Sequence, residues 1–173
     1  MKAVLAVILF AVSAVAQDQS AIQTAEAACG PRDTKFEVDT NQTRAPVPQL
    51  EGDRALVYVI EDVGQIECKN CALTRVALDG LWVGANNGSS YFFFPASPGE
   101  HHLCLNWQSR LGKLSRAVAL ANFTADAGKV YYFRARIFLG RGVQYTFDLD
   151  QINSDQGKLL VASYPYSISH PRP

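Results

Sequence analysis

Asp79-Gly80, set between the apolar runs 74–78 and 81–84, is the strongest local signal in the chain. A two-residue link between strands takes a type I′ turn, which needs positive φ at both central positions, and Asp-Gly satisfies that need. The same punctuation recurs along the sequence. Residues 90–108 read as two strands joined by Ser97-Pro98-Gly99-Glu100, where Pro98 presets the first turn dihedral and Gly99 supplies a positive φ. This pair is the most aromatic part of the protein and is expected in the middle of the core. Asp126-Ala127-Gly128-Lys129 then turns a strand at 117–124 into one at 130–139. In the latter, Tyr131, Phe133, Ala135, Ile137 and Leu139 face one way and Tyr132, Arg134, Arg136 and Phe138 the other.

Residues 54–61 form the first clear strand, apolar on both faces and therefore central. A last strand is expected at 143–149. Seven or eight short strands with Gly, Pro and Asn turns between them predict an all-β fold, an antiparallel β-sandwich, with a small closed barrel as the alternative. One short C-terminal helix is predicted over 155–163, capped by Ser154 and weakened by Gly157.

The 173 residues suit one domain with a single core. Residues 1–16 read as a secretory signal peptide: Lys2 opens it, 3–12 is apolar, and Ala14-Val15-Ala16 is a small-x-small cleavage site. That run is too short to span a bilayer comfortably, so no stable membrane insertion is expected after cleavage. Residues 17–53 form a polar, proline-bearing arm with a β-like piece at 35–38. Residues 54–163 are the β domain, and 164–173, with three prolines, is an extended tail. Cys29 is no lipid-anchor cysteine, because Asp18, Gln23 and Glu26 interrupt the apolar run before it. Removing Lys2 with the leader leaves fifteen basic against sixteen acidic residues, a charge of −1, which argues against a nucleic-acid partner.

Taken together, Leu78-Asp79-Gly80, Tyr91-Phe92, Pro98-Gly99-Glu100-His101 and the run Ala127-Gly128-Lys129-Val130-Tyr131-Tyr132-Phe133-Arg134-Ala135 resemble the signature of the bacterial domain of unknown function 2846. The order and spacing of these motifs carry the resemblance, which covers residues 54–160. It implies an exported or lipid-anchored envelope protein and a β-sandwich similar to transthyretin-like or PEGA-type modules. The chain departs from the lipoprotein members in lacking a lipobox. The family has no assigned reaction, so no catalytic residue and no cofactor carries over.

The four cysteines, Cys29, Cys68, Cys71 and Cys104, allow three disulfide pairings in an exported chain. Cys68 and Cys71 are close enough to close a small loop, which leaves Cys29 with Cys104. Alternation over 102–108 supports that pairing: Leu103, Leu105 and Trp107 face the core, so Cys104 points outward, where it can hold the arm against the sheet. A redox Cys-x-x-Cys lacks its helix and βαβ setting here. A zinc site from Cys68, Cys71, His102 and Cys104 is the sharpest chemical alternative, since it supplies a tetrahedral set.

Glu100-His101-His102 reads as a polar strand start rather than acid–base machinery. A triad built on Ser89 or Ser90 with Asp79 and a histidine has no Gly-x-Ser-x-Gly elbow. Tyr132, Arg134 and Arg136, followed by Arg141, form a possible ligand surface on one strand face. Three sequons, at Asn41, Asn87 and Asn122, complete the inventory. The expected function is a non-enzymatic exported β-sandwich, a binding or structural module of the cell envelope whose partner is a protein or a glycan. The alternative is a metal-binding protein or enzyme using the Cys68, Cys71, His102 and Cys104 group.

Overall fold

The computed structural model describes residues 27–31, 33–41, 45–46, 48–49, 52–63, 73–108, 118–139 and 145–172. The expected leader, Cys68, Cys71 and Arg141 lie outside these residues. The fold is all-β with one helix among the described residues. Its strands are β1 (Lys35–Asn41), β2 (Ala55–Glu61), β3 (Leu73–Leu78), β4 (Leu81–Asn87), β5 (Ser90–Ala96), β6 (Gly99–Gln108), β7 (Val118–Ala125), β8 (Val130–Leu139), β9 (Tyr145–Ile152) and β10 (Tyr166–Arg172). The helix, α1 (Ser154–Ser163), lies between β9 and β10.

Two sheets result, a six-stranded one ordered β1-β10-β5-β2-β8-β9 and a four-stranded one ordered β4-β3-β6-β7. The expectation of seven or eight antiparallel strands is corrected on both counts: the described strands number ten, and the larger sheet is mixed. β2 runs parallel to β8, and β10 meets β5 in parallel at Tyr166 and Tyr91. Side-chain alternation is the same in parallel and antiparallel strands, so the sequence pattern is blind to this difference. The chain crosses to the smaller sheet between β2 and β5 and again between β5 and β8, and it is the second return that brings β8 back parallel to β2.

The core lies between the sheets. Val57 and Val59 of β2, Phe92 and Phe94 of β5, and Phe133 and Ala135 of β8 meet Val76 of β3, Leu103 and Leu105 of β6, and Phe123 of β7. Phe133 packs edge-on to Phe123 with ring centroids 5.0 Å apart. Gly84 is needed where it stands, because a Cβ there would come 2.5 Å from the Phe92 ring. Both turn glycines and Asp79 adopt the predicted hand, with φ 51° at Asp79, 82° at Gly80 and 133° at Gly99. β4 lies alongside β1 and β10, and β7 alongside β9, so the sheets approach one another at both lateral margins. At one margin the Ala85 amide donates to Ser169 Oγ across 3.2 Å.

The arm and the tail are more regular than the composition suggests, because they pair with each other. β1 and β10 form an antiparallel ladder from Lys35–Arg172 to Asn41–Tyr166. Pro171 is tolerated in that ladder for a specific reason. Opposite it, Phe36 turns its own amide and carbonyl away from β10 and toward the side-chain amide of Gln108, at 2.6 and 2.8 Å. The missing proline N–H is therefore not called upon.

α1 starts one residue earlier than predicted. Asn153, not Ser154, is the N-cap, its Oδ1 accepting from the Gln156 amide at 2.9 Å. The helix covers part of the outer face of the six-stranded sheet. Gly157, a weak helix former, is the residue that makes this contact: a Cβ there would lie 2.2 Å from the Tyr132 ring. Gly157→Ala gains about 1 kcal/mol of helix propensity but drives a methyl into a ring fixed by its own strand. A net loss of about 1–2 kcal/mol in urea unfolding is expected, with Gly52→Ala, which points into open space, as the neutral reference.

Candidate functional site

Cys29 and Cys104 are joined, with their Cα atoms 5.1 Å apart. The Cys104 sulfur sits on the outer face of the four-stranded sheet, as the alternation requires, but is fully buried because the arm lies over it. The bridge closes a loop 75 residues long, worth about 4 kcal/mol in the chain-entropy treatment. Around it the sheet grips the main chain of the arm. Gly80 N donates to Ala28 O (3.2 Å), Trp82 Nε1 to Pro31 O (2.8 Å), and Arg75 Nη1 to Thr34 O. Arg75 also donates to Asn106 Oδ1 and stacks over Trp82 at 4.4 Å. With its sulfur bonded to Cys29, Cys104 is not a thiolate available to the four-residue metal set. His102, the other described member, is exposed.

His101 is the residue that most resembles a catalytic group, and its surroundings assign it to the scaffold. Nδ1 lies 2.6 Å from Asp79 Oδ2 and Nε2 lies 2.7 Å from the Ser97 carbonyl. A carbonyl only accepts, so Nε2 must donate. With the carboxylate facing Nδ1, the ring is held as imidazolium. Burial alone pulls its pKa down, but the Ser97 carbonyl and the Asp79 carboxylate outweigh that and raise it. Burial likewise pushes Asp79 up, and the His102 amide and His101 outweigh it to bring Asp79 below the usual carboxylate range. The pair ties the β3–β4 turn to the β5–β6 turn and has no free nitrogen for proton transfer.

A second polar group is hidden inside the core. The inward alternation of β2 runs Ala55, Val57, Val59, Glu61, so a carboxyl closes the apolar row. Glu61 is fully buried. Its Oε2 accepts from Thr74 Oγ1 at 2.7 Å, and its Oε1 has no partner among the described residues. Asn86, opposite Thr74 in the other sheet, donates through Nδ2 to Val59 O (3.2 Å), and its Oδ1 is also without a partner. Ser90, opposite Glu61, accepts from Ser167 at 2.7 Å. Burial raises the Glu61 pKa to about 8 against the lowering effect of Thr74, so the carboxyl is neutral at neutral pH. This polar layer joins the two sheets.

The arrangement with most to offer a ligand is on the opposite side of β2. Outward-facing Tyr58, Tyr91 and Tyr132, from β2, β5 and β8, form a cluster with Phe93, Tyr164 and Tyr166 and with Leu160 and Val161 of α1. Tyr58 stacks on Tyr132 (centroids 5.0 Å) and tilts against Phe93 (5.3 Å) and Tyr91 (6.2 Å). Tyr166 lies 5.6 Å from Tyr91 and 5.5 Å from Phe93. The rings of Tyr58, Tyr91 and Tyr132 are largely buried against one another, whereas Phe93 and Tyr166 are half-exposed. None of the phenol oxygens of Tyr58, Tyr91, Tyr132 and Tyr166 has a hydrogen-bond partner among the described residues, and none is among the buried orphan atoms. Burial, with the Tyr132, Tyr91 and Tyr166 phenols adding, pushes Tyr58 up to about 12. Burial also raises Tyr91, Tyr132 and Tyr166. All four stay neutral donors and acceptors.

Of the predicted ligand surface, Tyr132 belongs to this ledge beneath α1. Arg134 follows on the same strand face; burial and the Asp62 carboxylate push the Tyr164 phenol up to about 12, and the Arg134 charge acts against them. Arg136 is engaged elsewhere, 2.7 Å from Asp150 and 3.6 Å from Asp148. Tyr58, Tyr91 and Tyr166 were not legible as a group, because each sits in a different strand and only the pairing register collects them. The signal for Glu61 was available: strict alternation from Ala55 puts its carboxyl inside. No protein-family model, curated protein or solved structure matches the chain.

Two titrations check these assignments. The His101 contribution is complete below the ordinary imidazole pKa, near about 6.5, and is lost as pH rises through the raised folded value. His101→Gln should therefore lower the melting temperature more at about pH 5.5–6, below that imidazole pKa, than at alkaline pH; equal losses would separate His101 from the charge pair. For Glu61 the folded form holds its proton up to about pH 8, while the unfolded carboxyl gives it up near about pH 4.3. Stability tied to Glu61 thus declines between those values, and Glu61→Gln should flatten that slope in thermal unfolding.

Proposed function

We propose that this protein is an exported, non-catalytic binding module of a bacterial cell envelope, an envelope sandwich that presents the tyrosine ledge beside α1 to its partner. The observation that carries the reading is the ledge itself: four neutral phenol hydroxyls without partners among the described residues, gathered around half-buried Phe93 and Tyr166. Unpartnered hydroxyls on an aromatic surface are a binding feature, because tyrosine offers apolar contact and a hydrogen bond in one rigid side chain.

Other observations agree. The Cys29–Cys104 bridge suits an oxidising compartment. No described helix is long and apolar enough to cross a membrane. The residues that resemble the domain of unknown function 2846 signature sit at turns and in the core: Asp79 and Gly80 at the β3–β4 turn, Gly99 and His101 at the β5–β6 turn, and Phe133 and Ala135 in the inter-sheet core. They shape the scaffold, and the ledge is the surface they support.

The test is co-sedimentation of the purified protein with isolated bacterial envelope fragments. Phe93→Ser should lower the bound fraction by about fivefold or more, as for a central aromatic contact, with the fold retained in circular dichroism. Leu81→Ser, at the distant β3–β4 turn, should bind like the parent. Equal binding by all three proteins would remove the ledge from the function.

A further inference from the structure

Resting on the ledge as the binding surface, we infer that its ligand is an uncharged saccharide, one pyranose ring of which lies over Phe93 and Tyr166 while its hydroxyls bond the phenols of Tyr58, Tyr91, Tyr132 and Tyr166. Three features select that class. The phenols can each both donate and accept, which suits a sugar hydroxyl that does the same. Neighbouring rings lie 5.0–6.2 Å apart in a row across β8, β2, β5 and β10, so the phenols address successive hydroxyls along a saccharide. The apolar faces of Phe93 and Tyr166, 5.5 Å apart and half-exposed, offer a surface for the C–H face of a pyranose.

Charge selects against the alternatives. Arg134, next along the outer face of β8 from Tyr132, has no ion pair among the described residues, whereas several other charged groups at the margins of this face are engaged. Asp62 accepts from Tyr164 Oη at 2.7 Å, Arg136 pairs with Asp150 at 2.7 Å, and Glu37 pairs with Arg172 at 2.9 Å. A cationic ligand finds no dedicated carboxylate among the described residues beside Phe93 and Tyr166, and the Arg134 cation lies on β8 by Tyr132 and Tyr164, two strands away from Phe93. A neutral, hydroxyl-rich ring meets what is there. Ile168, two residues beyond Tyr166 on the same face of β10 and 36% exposed, extends the apolar floor along that strand.

The experiment uses the full mature chain with cellotetraose and, separately, chitotetraose. Binding is followed by calorimetry and by NMR of the tyrosine rings. Either sugar should shift the ring signals of Tyr58, Tyr91, Tyr132 and Tyr166 and leave the indoles of Trp82 and Trp107 unmoved. Tyr166→Phe, which removes one oxygen and keeps the ring, should weaken the dissociation constant by about 3–10-fold, the range of one net hydrogen bond. Phe93→Ala should weaken it by about tenfold or more. Absence of ring shifts with both sugars overturns the saccharide assignment. If envelope sedimentation still depends on Phe93 in that case, the ledge binds a protein and the module reading stands. If sedimentation is also indifferent to Phe93, both readings fall.

Discussion

A strand that is apolar on both faces has to be covered twice, and β2 imposes that condition on the whole molecule. Its inward residues, Ala55, Val57 and Val59, are covered by the four-stranded sheet. Its outward residues, Leu56, Tyr58 and Ile60, require a second cover, which α1 and the tyrosines provide. The position of β2 between β5 and β8 follows from the same demand, since an edge place would leave one flank of a fully apolar strand open to water. α1 has ten residues and lies over β2 and β8, so over β5 and β10 the described residues leave Phe93 and Tyr166 only half-buried. The ledge is thus a consequence of covering a six-stranded sheet with a short helix.

The polar groups fall into two sets when asked where their hydrogen bonds go. Asp79, His101, Arg75 and Gln108 spend theirs on turns and on the main chain of the arm. These bonds hold together segments far apart in sequence, and the Cys29–Cys104 bridge adds a covalent tie in the same place. Glu61 and Asn86 satisfy part of their capacity across the sheets and keep one oxygen each without a donor among the described residues. A proton on Glu61 removes the charge that would make that arrangement expensive. The tyrosine hydroxyls differ from both sets, because they have no partner among the described residues and are not among the buried orphan atoms, so water or a ligand can satisfy them.

The placement of each histidine and cysteine shows why a chemical reading of residue types misleads here. Asp79 beside His101 has the spacing of an acid–base pair, yet the Ser97 carbonyl on the far nitrogen consumes the position a substrate would need. Cys104 and His102 are two apart and share a strand face, as a metal pair would, yet the sulfur is bonded to Cys29. In both cases the deciding atom comes from a segment distant in sequence or from the main chain, which no spacing of side-chain types records.

Local chemistry was legible wherever the cause is local. Asp79-Gly80 and Gly99 need positive φ and announce it, the alternation of β8 sorts Phe133 from Tyr132, and the outward parity of Cys104 points to Cys29. The β1–β10 ladder, the parallel pairing of β2 with β8, the inter-sheet contact of Glu61 and the gathering of four tyrosines were decided only in three dimensions. The physical reason is that period-two alternation fixes which face a side chain takes but not which strand becomes its neighbour. That choice is made by how the two sheets bury their apolar faces against each other and against α1, a property of the whole chain rather than of any stretch of it.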